Sequence, residues 1–136
     1  MAYDAGRVLF VDDDESITRI FPALLEVHGY KVTASVSSVD ALALFQRSPW
    51  SFDVVVTDYV MAEMSGEALI RVLRQVRPEL PIILCSGSYD AEREDPEHTL
   101  GIHAFLRKPL ACEDLIRSIQ QALNPPQEWA VEVTPS

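Results

Sequence analysis

Two hydrophobic patterns alternate along this chain. Short runs of apolar and β-branched residues read as strands at 7–11, 31–35, 53–57, 82–86 and 104–107. Val54-Val55-Val56 and Ile82-Ile83-Leu84 are continuous rather than alternating, which suits strands covered on both faces. Between the strands, apolar residues recur at helical spacing. Ile17, Ile20, Phe21, Leu24, Leu25 and His28 share one helix face, and Gly29 closes that helix as a C-cap. Ser38 can cap a second helix carrying Ala41, Leu42 and Phe45, closed by Ser48-Pro49. Leu69, Val72, Leu73 and Val76 stripe a third, stopped by Pro78. A last helix spans about 112–123 on Leu115, Ile116, Ile119 and Leu123, and Asn124-Pro125-Pro126 ends it.

Two prolines disturb this pattern. Pro22 falls inside the first helix, where proline costs about 3 kcal/mol. The apolar stripe continues through it, so a kink is expected rather than a break. Segment 90–100 is strongly charged and interrupted by Pro96, which predicts a fourth helix that is short, irregular or mobile. Strands alternating with helices give a βαβ succession, hence an α/β fold with a parallel sheet and helices on both faces. The expected organisation is one domain over 1–124, with 125–136 a tail or the start of a linker.

Composition narrows the function classes. A length of 136 residues suits a single domain, and 48% apolar with 24% charged residues argues against wholesale disorder. Lys and Arg number 11 against 21 Asp and Glu, a net charge of -10. Nonspecific nucleic-acid binding and anionic membrane surfaces both need a positive footprint, so neither is expected as a direct partner. No apolar run approaches the roughly 18 residues of a membrane span, and the amino terminus has no secretory pattern. Cys85 and Cys112 do not make a disulfide framework, which fits a reducing, cytoplasmic setting.

The chemistry is expected where open parallel sheets place it, outside the carboxyl ends of the strands. Strand one ends in Asp12-Asp13-Asp14, strand three in Asp58, strand four in Ser86-Gly87 and strand five in Lys108-Pro109. Clustered carboxylates repel one another unless a cation is present. Oxygen ligands without His or Cys suit a hard ion such as Mg²⁺. A carboxylate beside such an ion, a hydroxyl and an ammonium can accept a phosphoryl group: the carboxylate attacks, and the cations and hydroxyl bind the transferring oxygens.

Four segments, in order and each at a strand end, carry a family resemblance. They are Val8-Leu9-Phe10-Val11-Asp12-Asp13, Asp53-Val54-Val55-Val56-Thr57-Asp58 with Met64-Ser65-Gly66 downstream, Ile83-Leu84-Cys85-Ser86-Gly87 and Phe105-Leu106-Arg107-Lys108-Pro109. Over roughly residues 6–123 the chain resembles the response regulator receiver domains of two-component systems. The resemblance implies a flavodoxin-like, doubly wound sheet of five parallel strands in the order 2-1-3-4-5, with about five helices. It implies that Asp58 accepts a phosphoryl group from a histidine kinase phosphohistidine. Asp13 and Asp58 would hold Mg²⁺ (or Mn²⁺) directly, with the backbone carbonyl of Val60 as a further ligand and Asp12 acting through water. Ser86 would be the switch hydroxyl, Phe105 the aromatic that moves with it, and Lys108 the phosphoryl contact, with a cis Lys108-Pro109 peptide. Such a domain catalyses its own phosphorylation and slow dephosphorylation rather than turning over a substrate. Where the family commonly has proline four residues after the acceptor, this chain has Ala62. Wording such as Ser65-Gly66-Glu67-Ala68-Leu69 and Leu100-Gly101-Ile102-His103-Ala104 is similar to receivers of hybrid sensor histidine kinases. The implied partners are a histidine kinase or a histidine phosphotransfer domain, docking near Ile17 and the loop after Pro109.

Other readings compete. Asp14 and Glu15 suit the start of a helix and need no further role. An EF-hand loop from Asp12 fails, with Ile17 where glycine belongs and Ala23 where the closing glutamate belongs. Asp12-Asp13-Asp14-Glu15-Ser16 loosely matches the nucleophile loop of haloacid-dehalogenase-like phosphatases, but that reading leaves Asp58 idle. A receiver-like module that binds partners without phosphorylation is the third alternative. His28, His98 and His103 lack metal-ligand spacing, and Cys85 reads as a small core hydrophobe.

Overall fold

The computed structural model describes residues 4–87 and 95–124. Its elements run β1 (Gly6–Val11), α1 (Glu15–Val27), β2 (Tyr30–Ser35), α2 (Ser38–Arg47), a 3₁₀ turn (Pro49–Ser51), β3 (Val54–Asp58), α3 (Gly66–Val76), β4 (Ile82–Ser86), α4 (Pro96–Thr99), β5 (Ala104–Arg107) and α5 (Cys112–Leu123). The strands form one parallel sheet in the order β2-β1-β3-β4-β5. This is the doubly wound α/β architecture expected from the alternation of patterns.

Every residue of β3 and of β4 is buried, which explains their continuous apolar runs. Because side chains alternate across a strand, the sheet has two cores. Leu9, Val55, Ile82 and Leu84 face Ala41 and Phe45 of α2 and Leu69, Ile70 and Leu73 of α3. Val8, Phe10, Val54, Val56, Ile83 and Cys85 face Leu25 of α1 and Leu115 and Ile119 of α5. Burying each such side chain contributes about 1.5–3 kcal/mol, so the strands are fixed in register from both sides.

Several boundaries differ from the sequence expectations. Ser37, not Ser38, caps α2: its hydroxyl accepts from the Asp40 N–H at 3.1 Å, while Ser38 is buried and accepts from the Met64 N–H at 3.0 Å. Strand β3 begins after Asp53, whose carboxylate accepts from the Arg7 backbone N–H at 2.8 Å, and it includes Asp58. Helix α1 runs without a break through the buried Pro22, and Gly29 follows its end at φ 94°. Among the described residues the fourth helix is short, as expected, at four residues, and Pro96 opens it in the first-turn position where a missing N–H costs nothing. Residues 88–94, which formed part of that expectation, lie outside the described residues, as does the tail from 125. Among the described residues no helix is long and apolar enough to cross a membrane.

Candidate functional site

Parallel pairing brings the carboxyl ends of β1, β3, β4 and β5 to one edge of the sheet. Asp12 follows β1 and is buried, with its N–H donating to the Ser35 carbonyl at 3.2 Å across the β1–β2 edge. Its Oδ1 accepts from the Asp14 N–H at 2.9 Å, which turns the chain toward α1. Asp14 then caps α1 by accepting from the Ser16 and Ile17 N–H groups at 2.9 and 3.4 Å.

Asp58 is the last residue of β3 and 8% exposed. Its Oδ1 accepts from the Tyr59 N–H at 2.9 Å, and that N–H is shared with the Cys85 carbonyl of β4 at 2.9 Å. The chain then loops back so closely that Gly66 N–H meets the Tyr59 carbonyl at 2.7 Å. A Cβ on Gly66 would lie 2.2 Å from the Asp58 carbonyl oxygen, so only glycine fits at the start of α3.

Lys108, one residue beyond β5, reaches across this edge. Its Nζ lies 2.8 Å from Asp12 Oδ2 and 3.3 Å from Asp58 Oδ1. Its backbone N–H donates to the Ser86 carbonyl at 2.9 Å, and the Lys108-Pro109 peptide is cis. Burial pushes the Asp58 carboxyl above its ordinary value, and the charge of Asp12 adds to this, while Lys108 and the Tyr59 N–H pull it back in part. For Lys108, burial alone favours the neutral amine. The hydrogen bond to Asp12 and the charges of Asp58 and Asp12 together outweigh that burial, so its net shift is upward. The lysine is therefore a protonated counter-ion shared by two carboxylates.

Asp13 is the exposed member of the group, and its Oδ2 accepts from the Ala62 N–H at 3.3 Å. Carboxylate oxygens of Asp12, Asp13 and Asp58 lie within 4.8 Å of one another. An all-oxygen donor set this tight, with a lysine already drawn to two of its members, fits a hard divalent cation. Ser86 ends β4 at 1% exposure, paired in register with Arg107. Phe105, half-buried opposite Leu84, packs on the α2–α3 core. Val60 follows Tyr59 and is 63% exposed.

Some contacts around the site carried no sequence signal. Ser37 Oγ donates to Glu63 and Ser38 Oγ accepts from the Met64 N–H, which ties the loop after Asp58 to the start of α2. The other singled-out residues lie elsewhere. His28 and His98 are exposed, and the His103 N–H donates to the Ile82 carbonyl at 2.8 Å at the opposite end of β4. Cys85 is enclosed in the core, where burial pushes its thiol up to about 12.

The family model for the response regulator receiver domain matches residues 8–120. Among curated proteins, the chain is 33% identical over 126 residues to the transcriptional regulatory protein ZraR of Salmonella typhimurium, covering 93% of this chain and 28% of the relative. It is 31% identical over 123 residues to the sensor kinase CckA of Brucella abortus, covering 88% of this chain and 13% of the relative. The chain thus spans less than a third of the length of either. Among solved structures, a response regulator receiver domain protein from Clostridium thermocellum superposes with a TM-score of 0.82 at 31% identity, over 88% of this chain and 94% of that one.

Proposed function

This chain belongs to the response regulator receiver domain family, and on that footing we propose that it is a phosphoacceptor whose acceptor is Asp58. Receiver domains act in two-component signalling with histidine kinases or phosphotransfer proteins. The observation that carries the assignment to this residue is the placement of Asp58. It is a buried carboxylate at the end of a central strand, with Lys108 at 3.3 Å and two further carboxylates in reach of a shared cation.

In the proposed reaction an Asp58 carboxylate oxygen attacks phosphorus. The O–P bond forms as the N–P bond of the donor phosphohistidine breaks, and the imidazole leaves with the electron pair and takes up a proton. Asp12, Asp13 and Asp58 would hold Mg²⁺, with Mn²⁺ an acceptable substitute and the Val60 carbonyl a further ligand. A bound divalent ion supplies charge neutralisation at the transferring oxygens. Lys108, already protonated and held at the site, contributes the second positive charge. Ser86 would hydrogen-bond a phosphoryl oxygen and, with Phe105, report the modification to the α4–β5 surface. The reading extends to a receiver unit over 1–124 with 125–136 as tail or linker, a cytoplasmic setting, and a kinase or phosphotransfer partner docking near Ile17 and Pro109.

Incubation with radiolabelled phosphoramidate and Mg²⁺ tests the assignment. Stoichiometric, alkali-labile labelling is expected, absent in Asp58→Asn and absent in excess chelator. Labelling that persists in Asp58→Asn sinks the acceptor; sustained release of phosphate at many turnovers favours a phosphatase instead.

A further inference from the structure

Of the three acidic residues at the site, Asp13 is the exposed one. An exposed carboxylate has rotamer freedom to lose when it ligates an ion. Here the Ala62 N–H donates to Asp13 Oδ2 at 3.3 Å and gives it a fixed partner. The amide is itself held from both sides along its loop. Met64 N–H donates to the buried Ser38 Oγ at 3.0 Å, Ser37 Oγ donates to Glu63, and Gly66 N–H donates to the Tyr59 carbonyl at 2.7 Å. The loop after Asp58 is thereby stitched to α2, and through one amide it reaches back to the end of β1.

We propose that the Ala62 backbone amide is a positioning group for the cation site, holding Asp13 by one carboxylate oxygen and leaving the other for a divalent ion. The proposal rests on reading the carboxylates as a metal site. Hydrogen bonds to ligating carboxylates fix their orientation, and losing one typically weakens metal binding about 10–100-fold. The residue type matters in an unusual way, because proline at this position has no N–H to give. Alanine at 62 therefore provides a donor that the family's common residue cannot. Ser37 and Ser38 act further back, by holding the loop that presents the amide.

Replacing Ala62 with lactic acid in the full chain, an amide-to-ester exchange, deletes this one donor without changing the side chain. Mg²⁺ affinity by titration calorimetry is expected to fall about 10-fold, with the melting temperature measured alongside without metal. A merely structural bond would lower the melting temperature and leave the affinity of the folded protein unchanged, which would overturn the proposal. A second measurement needs no variant: the Ala62 amide proton is expected to stay downfield and slow to exchange at saturating Mg²⁺. If that proton loses its hydrogen bond as Mg²⁺ binds, the amide competes with the ion and the proposal is wrong. If the unmodified chain binds no Mg²⁺ at all, the metal reading falls and this inference with it. That failure is recognisable because the protected amide would still be visible.

Discussion

At the scale of single residues, Asp58 and Lys108 pull in opposite directions on the metal-free protein. Asp58 is buried beside Asp12, so its folded-state pKa lies above the ordinary carboxylate value. A raised folded pKa means that the stabilising contribution is complete below the unfolded value and is lost as pH rises through the folded one. In chelator, Asp58→Asn is therefore expected to melt at a higher temperature than wild type at pH near 7, by a few degrees. The advantage should shrink toward pH about 4, where a free aspartate itself protonates. Equal pH profiles for the two proteins would show that burial of Asp58 carries no electrostatic cost. Lys108→Met makes the complementary case. It removes the ammonium 2.8 Å from Asp12 and 3.3 Å from Asp58, leaving buried acceptors at a cost of about 1–3 kcal/mol in the metal-free state. Because the ammonium occupies oxygens that a cation would use, the gain in melting temperature on adding Mg²⁺ should be larger in this variant than in wild type, even as phosphoryl labelling collapses. Asp12, Asp13, Asp58 and Lys108 were legible in the sequence because a parallel sheet turns strand ends into one shared edge. The contacts of Ala62, Ser37 and Ser38 were not: they join residues 49 or 26 positions apart, and the key donor is a backbone amide that every residue but proline carries.

At the scale of elements, two junctions hold α3, one beside the site and one at the opposite end of the sheet. The first is the start of α3, where a Cβ on Gly66 would come within 2.2 Å of the Asp58 carbonyl oxygen and 2.9 Å of Tyr59 Cα. Both are backbone atoms of the strand end that carries Asp58, so the strain cannot be relieved by a side chain moving aside. Gly66→Ala should cost about 1–3 kcal/mol in chemical denaturation and weaken Mg²⁺ binding, whereas a stability within error of wild type would mean that the α3 start can shift freely. The second junction is Arg74 near the end of α3. Its guanidinium donates to the Pro78 carbonyl at 3.1 Å and to those of Leu80, Leu100 and Gly101, tying the turn before β4 to the turn after α4. The strands were readable because β3 and β4 are buried on both faces and show it as unbroken apolar runs. The fourth helix is short, as its charge and proline implied, but the place of Pro96 was not readable, because a charged segment with proline fits both a broken helix and a helix that begins at that proline. Only the fold chooses between them, by burying the Pro96 ring at the first turn.

At the scale of the whole molecule, acceptor chemistry and partner docking separate into surfaces that can be tested independently. Three of the 21 acidic residues, Asp12, Asp13 and Asp58, are drawn together at one edge of the sheet, and a small phosphodonor need only reach that edge. A kinase must also find a surface beside it. Ile17, in the first turn of α1, is only partly buried and packs at the margin of the core facing α1 and α5. Trimming it to alanine should leave the carboxylates, Lys108 and the fold in place, with labelling by phosphoramidate unchanged in rate and stoichiometry. Transfer from a phosphorylated histidine kinase to Asp58 should slow by about tenfold, the scale of one well-packed interface side chain at roughly 1–2 kcal/mol. Parallel losses with both donors would place Ile17 in the architecture of the site rather than on its docking face. Unchanged transfer from the kinase would move the docking surface away from α1 altogether, toward the exposed valines Val36 and Val39 on the other side of β1.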